Sequence, residues 1–572
     1  MPWNTLTMPA APAVSPTSNP LINQERLLLA LLFAGLLALF TLLLPLPLLS
    51  LLSRSLENAH GQFVGLANFH AYLDSGALLR AFGHSLWVAT LSTLLVISCA
   101  FACAWALTRT RLPLRGWLRG ALLLPILAPS LLPAISLIYL FGEQGILKSW
   151  LGGQSIYGPL GIVMGSCFWT FPHALIILLT ALSQADARHY EAAEVLRAST
   201  LRTFFTVTLP NARYGLVSAA FVVFILVFTD FGVPKVIGGN YDVLATDVYK
   251  QVIGQQRFEM GAVVSVLLLL PALLAFLADR WVQRRQAATL TARAVPFNPK
   301  HNRRRDAWAA LLLSPALLFI LGVIGMAVYA SLVKYWPYNL SLSLYSYQFD
   351  RLLGDGWGSY RNSLQLAGLT LLAGTSLAFL NAWLSQRTPQ PKPMLWLFQL
   401  LSLLPLAIPG MTLGLGYIFF FNHPDNPLNE LYGGMTILVL CTLVHFYSVP
   451  HLNLVTAFKQ LDSEFESVGE SLRASRLQIL CRVTLPLSLP ALLDVALYFF
   501  VNGMTTVSAV VFLYGPDTSL AAISVLNLDD AGQTAGAAAM AVCIMLTCAA
   551  AKLLHSLLGA LIDRRQRAWR GA

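Results

Sequence analysis

Runs of roughly 20 or more residues with few or no charged side chains recur along the whole chain, each long enough to cross about 30 Å of hydrocarbon as a helix. Twelve can be drawn. They lie at approximately 27–53, 85–107, 120–142, 157–183, 214–234 and 260–278 in the first half, and at 307–333, 362–386, 396–421, 433–458, 487–514 and 532–551 in the second. A single soluble core cannot hide the apolar surface of a chain that is 56% hydrophobic and 11% charged, so the bilayer must be part of its solvent. Residues 1–26 are rich in Pro, Ser and Ala, and the apolar run after Arg26 exceeds the 7 to 15 residues of a cleavable signal. That run reads as a retained first span.

A net charge of +11 invites a nucleic-acid reading, but the distribution opposes it. With a cytoplasmic N-terminus, Lys and Arg concentrate in the loops that then face inward, the positive-inside pattern. The densest cluster, Arg280, Arg284, Arg285, Arg293, Lys300, Arg303, Arg304 and Arg305, falls in the central connection, where anionic membrane lipid is the natural partner and no nucleic acid is needed. The seven cysteines lie in spans or on the cytoplasmic side, and no pair has zinc-finger spacing.

The chain repeats itself at an offset of 276 to 280 residues. Phe101, Ala104, Trp105, Arg109 and Thr110 match Phe379, Ala382, Trp383, Arg387 and Thr388. Pro125 and Pro129 match Pro405 and Pro409, and Pro172-His173 matches Pro450-His451. Between the fourth and fifth spans, Asp186, Glu194, Leu196-Arg197-Ala198-Ser199 and Val207-Thr208-Leu209-Pro210 match Asp462, Glu470, Leu472-Arg473-Ala474-Ser475 and Val483-Thr484-Leu485-Pro486. The expected fold is therefore all-α, two six-helix modules crossing twelve times. An even number of spans per module puts the pseudo-twofold axis along the membrane normal. The expected organisation is a cytoplasmic tail (1–26), a first module (27–279), a basic linker (280–306), a second module (307–562) and a basic C-terminal tail (563–572), with both ends cytoplasmic.

The best-preserved stretch is a polar loop, which apolarity alone would not preserve. In the first copy (186–210) Asp186 can cap a short helix of Ala, Glu and Leu, and Pro210 can open the next element. In the second copy (462–486) Ser463 and Glu466 have capping-box spacing. Glu191-Ala192-Ala193 with Leu196, Ala198-Ser199 and Leu209-Pro210 resembles the EAA signature of bacterial ABC importer permeases. The resemblance covers both halves, so the chain looks like a fused permease subunit of the inner membrane. It implies that each loop forms a coupling helix seated in a groove of an ATPase subunit, that the ATPase is a separate homodimer, and that a periplasmic binding protein delivers a small solute. Asp186, Glu191, Ala192, Ala193, Glu194 and Arg197, with Asp462, Glu466, Glu470 and Arg473, are the coupling residues so implied. Two departures stand out. The family usually has Gly where Arg197 and Arg473 stand, so the turn cannot rely on glycine's tolerance of positive φ. The second copy has Ser467-Val468-Gly469 in place of Glu191-Ala192-Ala193, with Glu466 shifted by one.

Broken, polar passages follow the fifth span of each half: Thr229-Asp230-Phe231-Gly232-Val233-Pro234-Lys235, and Asn502-Gly503-Met504-Thr505-Thr506-Val507-Ser508. Irregular backbone at membrane depth is tolerated where it lines a cavity or is buried in protein. Asp230, Asn502, Thr505, Thr506 and Ser508 are the pathway candidates, with a helix-capping role for Asp230 equally open. Asp494 reads as a structural group near the start of its span, and His173 and His451 as hydrogen-bonded histidines at kinks. No nucleophile-base pair, metal-site spacing, cofactor motif or phosphate-cradling G-x-x-x-x-G-K-[ST] stretch is found, so neither enzyme nor resident ATPase is expected. The phrases around Asp230, Ala245-Thr246-Asp247-Val248-Tyr249 and Thr505–Leu513 resemble the fused permeases of ferric iron, thiamine and 2-aminoethylphosphonate importers, the last most closely. An ion-coupled secondary transporter shares the six-plus-six architecture, but needs no duplicated docking loop and commonly buries ionisable groups near the midplane, where this chain has few.

Overall fold

The computed structural model describes residues 20–287, 295, 297–299, 302–462, 464–472 and 474–570. Arg293 and Lys300 of the basic cluster, Ser463 of the capping box and Arg473 lie outside the described residues, as does the tail before residue 20. Nearly everything described is helix, because a backbone without water must satisfy its own hydrogen bonds. Nine described helices are long and apolar enough to cross a membrane: Leu27–Ser55, Ala77–Arg109, Pro159–Ser183, Thr200–Phe228, Phe258–Gln283, Arg303–Leu332, Gly358–Arg387, Arg476–Thr505 and Thr534–Ile562.

The other three of the twelve runs are not straight spans. Over 120–142 the chain makes Arg115–Leu122, a 3-10 turn at Leu124–Leu127 and the helix Leu131–Phe141, whose 11 residues reach only about half the hydrocarbon thickness. Its counterpart folds as Lys392–Ala407 and Gly410–Phe421, bent by 115°. Proline explains both. Pro129 and Pro409 cannot donate, and each forces the residue before it, Ala128 or Ile408, into extended backbone. The fourth run of the second half breaks by 54° between Met435–Phe446 and Ser448–Gln460. In an unbroken helix there the ring of Pro450 would clash with the carbonyl of the residue four back, Phe446. In the first half Pro159–Ser183 continues through Pro172.

The first span of each half packs on the other half. Phe33 and Phe40 lie 4.9 and 6.0 Å from the ring of Phe398, and Phe40 lies 4.5 Å from Tyr447. A Cβ on Gly416 would stand 2.8 Å from the Pro47 carbonyl oxygen, so only glycine permits that approach. Reciprocally, Arg303–Leu332 lies against Leu131–Phe141 and Ala77–Arg109. Water-driven burial does not operate between helices in lipid, so packing rests on close contact of small residues. A Cβ on Gly215 would sit 2.4 Å from that of Ala181, and one on Gly503 2.9 Å from Ala367 Cα. Besides helix, the described chain holds one small hairpin, Val333–Tyr335 with Asn339–Leu342, on the loop after the Arg303–Leu332 span.

Candidate functional site

The loop helix of the first half, Ala187–Val195, begins at Asp186, whose Oδ1 accepts the Arg188 N–H at 3.0 Å. That bond, with a second from the Val295 N–H at 3.4 Å, holds the Asp186 carboxyl below the usual carboxylate range. The helix closes by donation from Ala198 N–H to Ala193 O (2.9 Å) and Arg197 N–H to Glu194 O (3.0 Å), the paired bonds of a Schellman motif. Such a motif needs a left-handed residue, and Arg197 takes it at φ 51°. The turn thus keeps the positive-φ geometry that glycine normally supplies, at a backbone cost of roughly 1–2 kcal/mol. Glu191, Ala192, Glu194 and Arg197 are exposed, while Ala193 is buried.

The second loop repeats the construction. Asp462 Oδ1 accepts the Glu464 N–H at 3.0 Å, and the helix Glu464–Ser471, which carries Glu466 and Glu470, closes with Ala474 N–H to Gly469 O at 2.9 Å. Ser199 and Ser475 then accept from Arg202 N–H and Gln478 N–H (3.3 and 3.2 Å), and Gln478 returns a bond to Ser475 N–H at 3.0 Å. A single π-turn follows in each copy, Phe204–Thr208 and Leu480–Thr484, just ahead of Pro210 and Pro486. The wider turn absorbs the donor that each proline lacks. The Ala-to-Gly departure also has a cause: a Cβ on Gly469 would stand 2.3 Å from Ile479 Cδ1, and the residue equivalent to Ile479 in the first copy is the smaller Thr203.

Each loop presents large apolar groups outward. Leu196 and its equivalent Leu472 are 80% and 75% exposed, and the matched pair Leu201 and Leu477 are also exposed, with Val195 and Val468 beside them. Exposed apolar groups at matched positions are the chemistry of a docking surface.

Two arginines not singled out from sequence hold these loops. Arg109, buried at the end of its span, donates to Leu182 O at 2.8 Å, and Arg387 donates to Leu461 O at 2.8 Å and to Phe458 O. Both bind the end of the segment that leads into the loop. Their equivalence across the repeat was the available signal.

The pathway candidates are dispersed along the broken passages. Asp230 is buried and caps the short helix Gly232–Ile237, accepting from Gly232 N–H (3.1 Å) and Val233 N–H (3.3 Å). Asn502 and Thr505 bond back to Tyr498 O (2.8 Å) and Val501 O (2.9 Å) of their own helix. Thr506 Oγ1 is buried without a hydrogen-bond partner among the described residues. Ser508 packs on the broken third span, where a Cβ on Gly410 would meet its Oγ at 2.4 Å; in the first half Gly232 packs likewise on Ser130 Oγ, at 2.3 Å. Asp494 Oδ1 lies 2.8 Å from His555 Nε2 between helices, and His173 and His451 contact Trp169 O and Tyr447 Oη, each at 3.3 Å.

Beside these passages the two halves meet. Lys235 Nζ lies 3.0 Å from Asp530 Oδ1 and 5.3 Å from the Tyr249 ring centre, and Tyr249 stacks at 6.3 Å on Phe512. Tyr139 Oη bonds Thr534 Oγ1 at 2.9 Å, and Trp336 Nε1 donates to Gln144 O at 3.2 Å. Burial and the adjacent Asp530 carboxylate push Asp529 up to about 6, against the pull of Lys235.

Comparison with known proteins accounts for this duplicated frame. The family described as "Binding-protein-dependent transport system inner membrane component" matches twice, at residues 95–288 and 390–565. The chain is 28% identical over 492 residues to the ferric transport system permease protein FbpB of Actinobacillus pleuropneumoniae, covering 81% of this chain and 68% of that protein. It is 28% identical over 445 residues to the putative ferric transport system permease protein FbpB 1 of Haemophilus influenzae, covering 74% and 68%. It is 34% identical over 166 residues to the molybdenum transport system permease protein ModB of Azotobacter vinelandii, covering 28% of this chain and 74% of that one. With the domain present in both halves, the chain belongs to the binding-protein-dependent inner membrane component family, as a fused multi-pass permease subunit of an ABC importer.

Proposed function

We propose that the two loops are coupling helices that dock on a homodimeric ATPase, and that its closing and opening turns the modules between inward-facing and outward-facing states. The observation that carries this is the duplicated build of the loops, with the same aspartate at the start, a matching closing hydrogen bond and exposed leucines at matched positions. In this reading Asp186 and Asp462 start the helices. Glu191, Ala192, Ala193, Glu194, Glu466 and Glu470 set the docking face, and Arg197 and Arg473 the turn. Asp230, Asn502, Thr505, Thr506 and Ser508 border the path of the solute, and both termini are cytoplasmic.

The solute we propose is 2-aminoethylphosphonate, handed over by a periplasmic binding protein. A zwitterion with a phosphonate and an ammonium suits a seam that sets Lys235 beside Asp529 and Asp530. A second reading, ferric iron, is favoured by the names of the relatives that match most of the chain. The test is binding and uptake with the reconstituted complex. Glu191→Arg and Glu470→Arg should reduce both ATPase co-purification and uptake, and labelled 2-aminoethylphosphonate should accumulate while ferric iron does not. Normal co-purification and uptake by both variants would sink the coupling assignment; accumulation of iron alone would replace the solute.

A further inference from the structure

We infer that the linker joining the two modules is a working part of the first coupling loop, with Phe297 a positioning residue for the Ala187–Val195 helix. This rests on the coupling reading above and concerns only the first of the two loops.

Three contacts carry it. Val295 O accepts the Ala187 N–H at 2.9 Å, one of the first-turn donors that a helix cannot satisfy internally. Val295 N–H donates at 3.4 Å to Asp186 Oδ1, the same oxygen that caps the helix. The Phe297 ring stands 4.7 Å from that of Tyr190, and the Arg109 guanidinium lies over both, 4.7 Å from Tyr190 and 4.8 Å from Phe297. Because Arg109 ends its own span and donates to Leu182 O, Phe297 closes a continuous chain of contacts from linker to loop helix to two membrane helices.

The residues equivalent to Ala187 and Tyr190 in the second loop are Ser463 and Glu466, so the aromatic partner of Phe297 is particular to the first loop. A loop helix braced to membrane spans in this way passes a push on to them. The linker therefore sets the angle of the first loop helix.

The experiment uses the full chain with its ATPase and binding protein in proteoliposomes, reading solute moved per ATP hydrolysed together with ATPase co-purification. Phe297→Ala should lower the transport ratio by about fivefold, the factor carried by one aromatic-cation contact, with co-purification retained. Phe297→Trp should keep the ratio. Arg109→Lys, which keeps the charge but loses the planar face that stacks on the rings, should lower it as Phe297→Ala does. If Phe297→Ala is poorly inserted, Arg109→Lys decides. An unchanged ratio in Phe297→Ala, or in Arg109→Lys when it decides, overturns the inference. Glu191→Arg serves as the separate control: if it leaves co-purification and uptake untouched, the coupling reading itself has failed, whatever Phe297 does.

Discussion

At the scale of single residues the two copies differ by compensated exchanges. Gly469 faces Ile479 where Ala193 stands with Thr203, so adding one methyl at 469 forces Ile479 to move. Gly469→Ala should therefore destabilise the second loop by roughly 1–3 kcal/mol as overpacking, and Gly469→Ala with Ile479→Thr should recover most of it. Thermal unfolding of the purified subunit, run as a double-mutant cycle, checks this; additive losses would contradict it. Asp529 gives a pH signature. Its folded value of about 6 lies above the ordinary carboxylate range, so the folded chain holds a proton that the unfolded chain releases. Its contribution to stability is complete below the unfolded value and falls as pH rises toward 6. Asp529→Asn should flatten the melting temperature between about pH 4 and 6; an unchanged slope would count against the burial assigned to this group. Neither feature was legible beforehand. Gly469 read as a departure from a signature, because the size of its neighbour depends on a contact that sequence spacing does not give.

At the scale of elements, apolar runs located nearly every span, since length and lack of charge decide whether a helix can stay in hydrocarbon. They did not reveal that the third run of each half is broken. Pro125, Pro129, Pro405 and Pro409 were visible as repeats, but the size of the bend depends on what receives the freed backbone. The first loop helix was legible from Asp186, because capping is local chemistry; in the second copy the sequence pointed to Ser463 and Glu466, whereas Asp462 Oδ1 accepts the Glu464 N–H. At Arg197 the departure from glycine was visible in the sequence but the backbone it adopts was not, because it is the closing hydrogen bonds that hold Arg197 at positive φ. The cap makes a direct prediction. Asp186→Ala should speed amide hydrogen exchange across 187–195, while Asp186→Asn, which still offers an oxygen to Arg188 N–H, should keep protection near that of the parent. Equal exchange in all three proteins would show that the cap does not hold the helix.

At the scale of the whole molecule the halves interlock, each lending its first helix to the other, and this was not legible because composition fixes a span's length but not its partner. The contacts between the halves beside the broken passages include one ion pair whose members come from different modules, Lys235 and Asp530. Partly exposed pairs are worth under about 1 kcal/mol, so stability should change little when it is altered. Transport should change more: Lys235→Asp alone should impair uptake, and Lys235→Asp with Asp530→Lys should restore it. Failure of the exchanged pair to restore uptake would mean that the contact between the modules is not what matters there.

The central claim is that nucleotide hydrolysis by a separate ATPase drives solute through this duplicated frame. Uptake into proteoliposomes containing the chain, its ATPase and its binding protein tests it most directly, with ATP or ion gradients supplied separately. The account predicts uptake that requires ATP and the binding protein and survives collapse of every ion gradient. Uptake that follows an ion gradient without ATP would contradict it and assign the chain to the secondary carriers.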